Sequence, residues 1–199
     1  MTPTLSRPVL SDVLWRTEGS AIWIKRLVLI VAGIAALAVA AKIKIPMWPV
    51  PITMGTFAVL TIGAAYGPRL GMATILGYMI VGALGFDVFA SSSAESFGLT
   101  YMMGGTGGYL LGYVLATLAL GLAARRGWDR SILWMAVAML IGNALIYVPG
   151  LLWLGQLYGW DQPILAWGFT PFLIGDALKL ALAALLVPAL WKLVGQART

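Results

Sequence analysis

The sequence predicts an all-α integral membrane protein, a single membrane domain over residues 1–199 with six transmembrane helices. Hydrophobic residues make up 61% of the chain and charged residues only 10%, whereas soluble domains average about 45–50% and 25%. Most of this apolar surface must therefore face lipid. Two further observations support the prediction: the apolar residues fall in six stretches, and Lys and Arg concentrate on one side of them.

Segments rich in Pro, Gly or charge separate the six apolar stretches. The stretches cover about residues 22–41, 52–66, 70–84, 105–124, 132–155 and 171–194. Four of them can span a hydrocarbon core of about 30 Å at 1.5 Å per residue. The second and third reach only about 22 Å, and the turn Gly67-Pro68-Arg69 joins them. We therefore predict that these two form a helical hairpin whose ends pack against protein.

The first stretch has a second interpretation, as a secretory signal peptide. Lys25-Arg26, the apolar run and Ala38-Val39-Ala40 resemble one. However, the segment before the run is long for a signal, and five further stretches already direct the chain to the membrane. We therefore assign residues 22–41 to the first transmembrane helix and residues 1–21 to a cytoplasmic segment.

The positions of Lys and Arg predict the orientation. With the N-terminus in the cytoplasm, ten of the 13 lie on the cytoplasmic side, Lys42 and Lys44 lie outside, and Lys179 lies in the membrane. This agrees with the positive-inside rule, and six spans return the C-terminus to the cytoplasm. The ten are Arg7, Arg16, Lys25, Arg26, Arg69, Arg125, Arg126, Arg130, Lys192 and Arg198. Topology thus explains the net charge of +6, and we expect no nucleic-acid binding.

The three outer connections differ in character from the inner ones. The first, KIKIPMWPVPIT, is rich in proline and is predicted to be stiff and extended. The second, residues 85–104, is long and carries several aromatic side chains, Phe89 among them, and the third, residues 156–170, is also aromatic. Such a loop can lie on the bilayer surface or cover a pocket between helices. Length and mixed polarity favour a lid for residues 85–104.

Asp176 and Lys179 are the charged residues inside the last stretch, in the run FLIGDALKLAL. Their spacing places both on one face of a helix, about 8–12 Å below its outer end. Each charge costs about 2.5–3.5 kcal/mol at mid-membrane, so neither is expected to face lipid. The alternative to a functional role is a purely structural ion pair. Because a buried pair contributes little net stability, we favour ligand recognition.

The composition favours recognition over catalysis. The chain has no histidine and no cysteine, which removes imidazole bases, thiol nucleophiles and the usual zinc ligands. We predict that the protein is not an enzyme and needs no cofactor; a membrane enzyme with Asp176 as its base remains an alternative. The sequence GxxxxGK[ST] is also missing, so the chain has no ATPase of its own, and the protein either takes energy from a partner or works without it.

Four polar or aromatic residues in the helices are further candidates for ligand contact. Asn143 lies midway along the fifth stretch with Tyr147 one turn outward, below Pro149. An intramembrane Asn can equally serve as a hydrogen bond between helices worth about 1 kcal/mol. Tyr78 and Tyr109 can also point inward, although aromatic residues there are usually packing.

Small residues recur at four-residue intervals in two helices. The first helix has Ala32, Ala36 and Ala40, and the fourth has Gly108, Gly112 and Ala116. Such stripes allow helices to approach closely in lipid. Either stripe can pack within this chain or against another membrane protein.

The residues together resemble the BioY family, over about residues 25–191. The resemblance rests on KIKIPMWPVPITMGTFAVL, GPRLGMATILGYMIVGALGFDVFA, GGTGGYLLGY, NALIYVPGLLWL and PFLIGDALKLALAALL. Members of this family are the biotin-specific membrane subunits, or S components, of energy-coupling factor (ECF) transporters, in bacterial or archaeal plasma membranes.

The resemblance implies six helices and a biotin site closed by outer loops. It implies that Asp176 and Lys179 contact biotin, and that Asn143 and Tyr147 correspond to the family's NxxxY. The Ala32, Ala36 and Ala40 face resembles the surface that meets the transmembrane coupling protein, which two cytoplasmic ABC-type ATPases drive. Another vitamin such as thiamin or riboflavin, or a structural role without a ligand, remains an alternative.

Three positions depart from the family pattern. Gly55 stands where the family usually has Gln, and Asp87 and Gly105 stand where it usually has Pro. Residues 85–104 also contain no arginine that could pair with the valerate carboxylate of biotin, a role that Lys42 or Lys44 can take. These departures concern loop conformation rather than the Asp–Lys pair.

Overall fold

The structure is a computed structural model that describes residues 7–15, 17, 19–91 and 96–196, and these are mostly helical. Within them, five segments are long and apolar enough to cross a membrane: Ala21–Lys42, Gly55–Ala83, Gly107–Arg125, Ile132–Tyr158 and Ile164–Val194. The α-helices are α1 (Leu10–Leu14), α2 (Ala21–Lys42), α3 (Gly55–Ala83), α4 (Gly98–Met102), α5 (Gly107–Arg125), α6 (Ile132–Tyr158), α7 (Ile164–Gly168) and α8 (Leu173–Gln196). Single 3-10 turns occur at Trp128–Arg130 and Thr170–Phe172.

The second and third predicted stretches fall within α3, which is broken at Gly67. Gly67 has φ 75° and ψ 179°, a conformation open to glycine, and Pro68 follows it. A Cβ placed on Gly71 would lie 3.5 Å from the Cα of Gly63, whereas eight residues of straight helix span about 12 Å. The chain therefore reverses direction at Gly67, and the arms 55–66 and 68–83 lie side by side.

Two short strands replace the start predicted for the second stretch. Strands β1 (Lys44–Ile45) and β2 (Ile52–Thr53) pair antiparallel, with Lys44 opposite Thr53 and Ile45 opposite Ile52. The helix therefore begins at Gly55 rather than at residue 52. The connection between the two strands contains three prolines, and its Val50 is buried in the core.

Helix α5 is the centre of the bundle and packs against α3 and α6. A Cβ on Gly112 would lie 2.5 Å from the Cα of Ile146, and one on Gly121 would lie 2.5 Å from the nitrogen of Pro68. Both glycines thus allow backbones to touch. The glycine stripe of this helix serves packing within the chain.

Helix α2 is the most peripheral of the long helices. Its contacts run to the second arm of α3, where Gly33 faces Thr74 and Leu37 is buried. Ala32 and Ala36 are exposed, but Ala40 is buried at 9%. The exposed small residues therefore do not continue to Ala40, which packs inside this chain.

Helix α1 closes the end of the bundle opposite the strands, a feature that the sequence did not predict. Val9 and Leu10 are buried, and Asp12 forms a 2.8 Å ion pair with Arg125. The backbone N–H of Arg7 donates to the carbonyl oxygen of Arg125 at 3.0 Å. Two of the predicted cytoplasmic cations, Arg16 and Arg198, lie outside the described residues.

Asp129 is the buried acid at this same end. It is 1% exposed, and its Oδ2 accepts a 2.6 Å hydrogen bond from Nε1 of Trp191. The guanidinium of Arg130 lies over the Trp191 ring at 4.3 Å and donates to the carbonyl oxygen of Pro8 at 3.2 Å. Asp129 thus ties the α5–α6 connection to α8.

Burial of Asp129 makes the stability of this end depend on pH. Desolvation raises its pKa from 3.8 to about 6, against the lowering effects of Trp191, Arg130 and Arg7. Between these two values the unfolded chain releases a proton that the folded protein keeps. Stability therefore falls as pH rises through this window and stays at the lower level above it.

We expect Asp129→Asn to raise the unfolding midpoint by a few degrees at pH 8 and to change it little at pH 4.

Thermal unfolding in detergent at the two pH values measures this effect. Asp161→Asn, at an exposed position, is the matched control and should shift the midpoint little at either pH. An equal change for Asp129→Asn at both pH values would contradict the explanation.

Candidate functional site

A cavity opens between α3, α5, α6 and α8 at the end of the bundle that carries the strands. Its volume is about 660 Å³ including the solvent space at its open mouth. Tyrosines from α3 through α6 and aliphatic side chains make up most of its wall, and Lys179 supplies a charge. The cavity is therefore largely apolar with a few polar groups.

Asp176 and Lys179 form an ion pair in the first two turns of α8. Lys179 Nζ lies 2.9 Å from Asp176 Oδ1, and their side chains are only 11% and 8% exposed. Lys179 also donates to Thr56 Oγ1 at 3.1 Å, and Thr56 donates to Asp176 Oδ1 at 3.4 Å. The Tyr147 hydroxyl donates to Asp176 Oδ2. These four side chains, from α3, α6 and α8, are the polar network of the cavity.

The hydrogen bonds of the polar network offset the desolvation cost of burying the two charges. An unpaired charge in so apolar a place would be expensive, but here each charged group has at least two partners. Lys179 also lines the cavity, so one charged group of the network can reach a ligand. The arrangement suits a ligand that presents hydrogen-bond donors and acceptors side by side.

Aromatic rings form the opposite wall. Phe89 is 1% exposed and stacks on Tyr101, with ring centres 4.9 Å apart, and its edge meets Tyr78 at 5.4 Å. The Tyr78 hydroxyl donates to the carbonyl oxygen of Val88 at 2.9 Å. A Cβ on Gly82 would lie 2.1 Å from Phe89, so only glycine leaves room for the ring. Phe89 is thereby fixed against the cavity.

The loop that carries Phe89 is held by the end of α2. Lys42 Nζ pairs with Asp87 Oδ1 at 2.5 Å and donates to the carbonyl oxygen of Phe89 at 2.8 Å. Lys44 donates to the carbonyl oxygen of Ala90. Both lysines therefore bind the loop rather than point into the cavity, and Asp87 supplies the partner of Lys42. Residues 92–95 of the same predicted lid lie outside the described part of the chain.

The predicted site residues divide into two groups. Tyr78, Phe89, Tyr109, Tyr147 and Lys179 line the cavity. Asp176 is next to this wall, hydrogen-bonded to Lys179 and Tyr147 and 6% exposed. Tyr109 also donates to the carbonyl oxygen of Gly168 at 2.8 Å, which ties α5 to α7.

Asn143 stands apart from this group. It is half-buried, one turn of α6 below Tyr147, and the structure does not place it on the cavity wall. This position suits the alternative of a packing residue.

A family model described as the BioY family matches residues 10–196. The chain belongs to the BioY family. A Pyrococcus horikoshii protein named probable biotin transporter BioY is 35% identical over 166 residues, which cover 83% of this chain and 96% of that protein. A Thermotoga maritima protein named biotin transporter BioY is 35% identical over 167 residues, with the same coverage.

The fold also matches a solved structure. The S-component for biotin from an ECF-type ABC transporter superposes with a TM-score of 0.72 at 20% identity, covering 88% of this chain and 95% of that one. At this identity the match supports the fold alone. It confirms that this member of the BioY family has the architecture of an S-component.

Several cavity residues of this BioY family chain were missed by the sequence. Thr56, Thr53 and Thr106 gave no signal because isolated threonines are common in apolar helices and their ends. Nothing in the sequence distinguishes Tyr113 from the other aromatic residues of the helices. Gly55, one of the three departures, has a structural reason: a Cβ there would lie 2.9 Å from both Thr53 Oγ1 and the Tyr113 hydroxyl oxygen.

Proposed function

We propose that this protein captures biotin from outside the cell and, as the S subunit of an ECF transporter, delivers it inward. The observation that carries the proposal is the polar network of Asp176, Lys179, Thr56 and Tyr147 at one wall of an apolar cavity. The names of its relatives support the same ligand.

Biotin has the chemistry that this site can satisfy. Its ureido ring presents two N–H groups and a carbonyl oxygen, and its thiophane ring and tail are apolar. Lys179 offers a donor and Asp176 an acceptor for the ureido group. Tyr78, Phe89 and Tyr101 offer flat surfaces for the rest of the molecule.

The same geometry favours binding over catalysis. The Asp176 oxygens accept from Lys179, Thr56 and Tyr147, so this carboxylate is hydrogen-bonded on both sides. General acid–base catalysis also needs a second group to exchange the proton, and no carboxylate or histidine is among the described residues that line the cavity. We therefore propose no enzymatic activity, and biotin is the transported ligand rather than a cofactor.

Titration of the purified protein in detergent with biotin, thiamin and riboflavin tests the substrate. We expect tight, biotin-selective binding, weakened at least about tenfold by Asp176→Asn and by Lys179→Ala, because each removes a charge-assisted hydrogen bond worth about 1.5–3 kcal/mol. Asp161→Asn, at the exposed control position, should bind biotin as wild type does. Wild-type protein that binds another vitamin and not biotin would refute the substrate; unchanged affinity in both site variants would refute the site.

We further propose six membrane crossings with both termini in the cytoplasm. The two arms of α3 count as separate crossings because the chain reverses at Gly67. Arg69, Arg125 and Arg130 then share the cytoplasmic side with α1, while the strands and the cavity mouth face outward. This orientation places biotin capture on the outside.

Single cysteines test the crossings cleanly, because the chain has no cysteine of its own. With a membrane-impermeant maleimide we expect Asp161→Cys to label in intact cells, and Ser131→Cys and Arg69→Cys to label only after permeabilisation. If α3 were a single straight crossing, residue 69 would lie in the bilayer and Arg69→Cys would label in neither case.

The exposed alanines of α2 are our proposed contact with the transmembrane coupling protein, whose ABC-type ATPases would supply the energy. Ala32 and Ala36 lie four residues apart on a side of α2 that is open to lipid, and small residues at this spacing let a second helix approach closely. Ala40 is buried within this chain, so it is left out of the proposed contact.

Co-purification with the coupling protein tests this surface. We expect Ala36→Leu to reduce the amount recovered at least several-fold while biotin affinity stays the same, because the added side chain separates the helices. Val31→Phe, which enlarges another exposed position of α2, should leave recovery unchanged. Full recovery with Ala36→Leu would exclude this surface.

A further inference from the structure

Tyr113 of α5 brings a second polar group to the cavity, apart from the polar network. A Cβ on Gly55 would lie 2.9 Å from the Tyr113 hydroxyl oxygen and 2.9 Å from Thr53 Oγ1. Gly55 therefore leaves a notch in the wall where these two hydroxyls meet. All three residues line the cavity.

The Tyr113 hydroxyl lies beside a group that can orient it. Thr53 Oγ1 accepts the backbone N–H of Gly55 at 3.0 Å, so its own proton is free to turn toward Tyr113. Both hydroxyl oxygens border the same notch at Gly55. A tyrosine hydroxyl oxygen has two lone pairs, so it can accept a hydrogen bond from a ligand.

Counting donors and acceptors shows what the polar network leaves unmet. A carboxylate offers about four lone-pair sites, and Asp176 uses three for Lys179, Thr56 and Tyr147. One site remains, enough for one N–H of a ligand. An ammonium has three protons, and Lys179 uses two, so one remains for a carbonyl oxygen.

A cyclic urea needs one more hydrogen-bond acceptor than Asp176 and Lys179 together provide. Its two N–H groups point to opposite edges of the ring with the carbonyl oxygen between them. The two charged groups can take the carbonyl oxygen and one N–H, and the second N–H needs a hydroxyl oxygen or another acceptor. An unsatisfied donor of this kind costs about 1–3 kcal/mol.

We propose that the Tyr113 hydroxyl oxygen accepts the second ureido N–H of biotin, with Thr53 as its positioning residue and Gly55 as the opening that exposes it. This rests on biotin being the ligand. The positions agree: Gly55 directly precedes Thr56 of the polar network, and Tyr113, Thr56 and Lys179 all line the same cavity.

The competing explanation is that the Tyr113 hydroxyl only ties α5 to the strand β2 through Thr53. In that case its loss would lower the stability of the ligand-free protein and leave biotin affinity nearly unchanged. The two explanations therefore differ in which measurement moves.

Tyr113→Phe removes the hydroxyl and keeps the ring. We expect it to weaken biotin binding about five- to fifteen-fold, the effect of one hydrogen bond, with the ligand-free unfolding midpoint within about 2 °C of wild type. Thr53→Val should weaken binding less, because it removes only the group that orients Tyr113. Tyr66→Phe, which removes a hydroxyl near Gly33 and outside the cavity, is the matched control and should bind biotin as wild type does.

Biotin derivatives methylated on one or the other ureido nitrogen identify the bonded group. One of the two should bind wild type and Tyr113→Phe equally, because the N–H that Tyr113 accepts is gone. A change of less than twofold in biotin affinity for Tyr113→Phe, or an equal penalty with both derivatives, would overturn the assignment. Wild-type protein that fails to bind biotin would instead refute the proposed function.

Discussion

The buried ion pair between Asp176 and Lys179 is the constraint on which the cavity end of the molecule depends. Two charges this far from solvent are tolerated only when further hydrogen bonds surround them. Thr56 must therefore approach from α3 and Tyr147 from α6, which fixes the relative positions of three helices. The cavity is the space that remains on the open side of these contacts. Helix arrangement and ligand recognition thus follow from one electrostatic requirement.

Helix α5 takes part both in close helix packing and in the wall of the cavity. Gly112 and Gly121 of α5 let backbones touch near the middle of this helix and toward its Arg125 end, where α1 and Asp129 close the bundle. Toward the cavity, Tyr109 and Tyr113 of the same helix line the wall beside its glycines. The close packing at the α1 end keeps the helices in fixed positions. The side chains of the polar network therefore stay in place at the cavity.

Helices and charges were predictable from the sequence, while local backbone geometry was not. Long apolar runs and two intramembrane charges give strong signals, so the long helices, the Asp176–Lys179 pair and the family followed from them. The short α1 and the strand pair involve only five and two residues per element, too few for a periodic pattern. Thr56 and Tyr113 acquire their importance from neighbours more than 50 residues away in the chain. Asn143 is not among the lining residues of the cavity, and its place in the middle of a helix does not by itself predict which side chains surround it.

The loop over the cavity shows which contacts govern access. The Lys42–Asp87 pair has side chains 40% and 70% exposed, and a pair so exposed contributes about 0–1 kcal/mol. Phe89, in contrast, is 1% exposed, and withdrawing such a ring from its packing costs about 1.5–3 kcal/mol. Phe89, in the space that Gly82 leaves, therefore contributes more to the position of the loop than the exposed ion pair does. Hydrogen bonds from Lys42, Lys44 and Tyr78 to the loop backbone add to this hold.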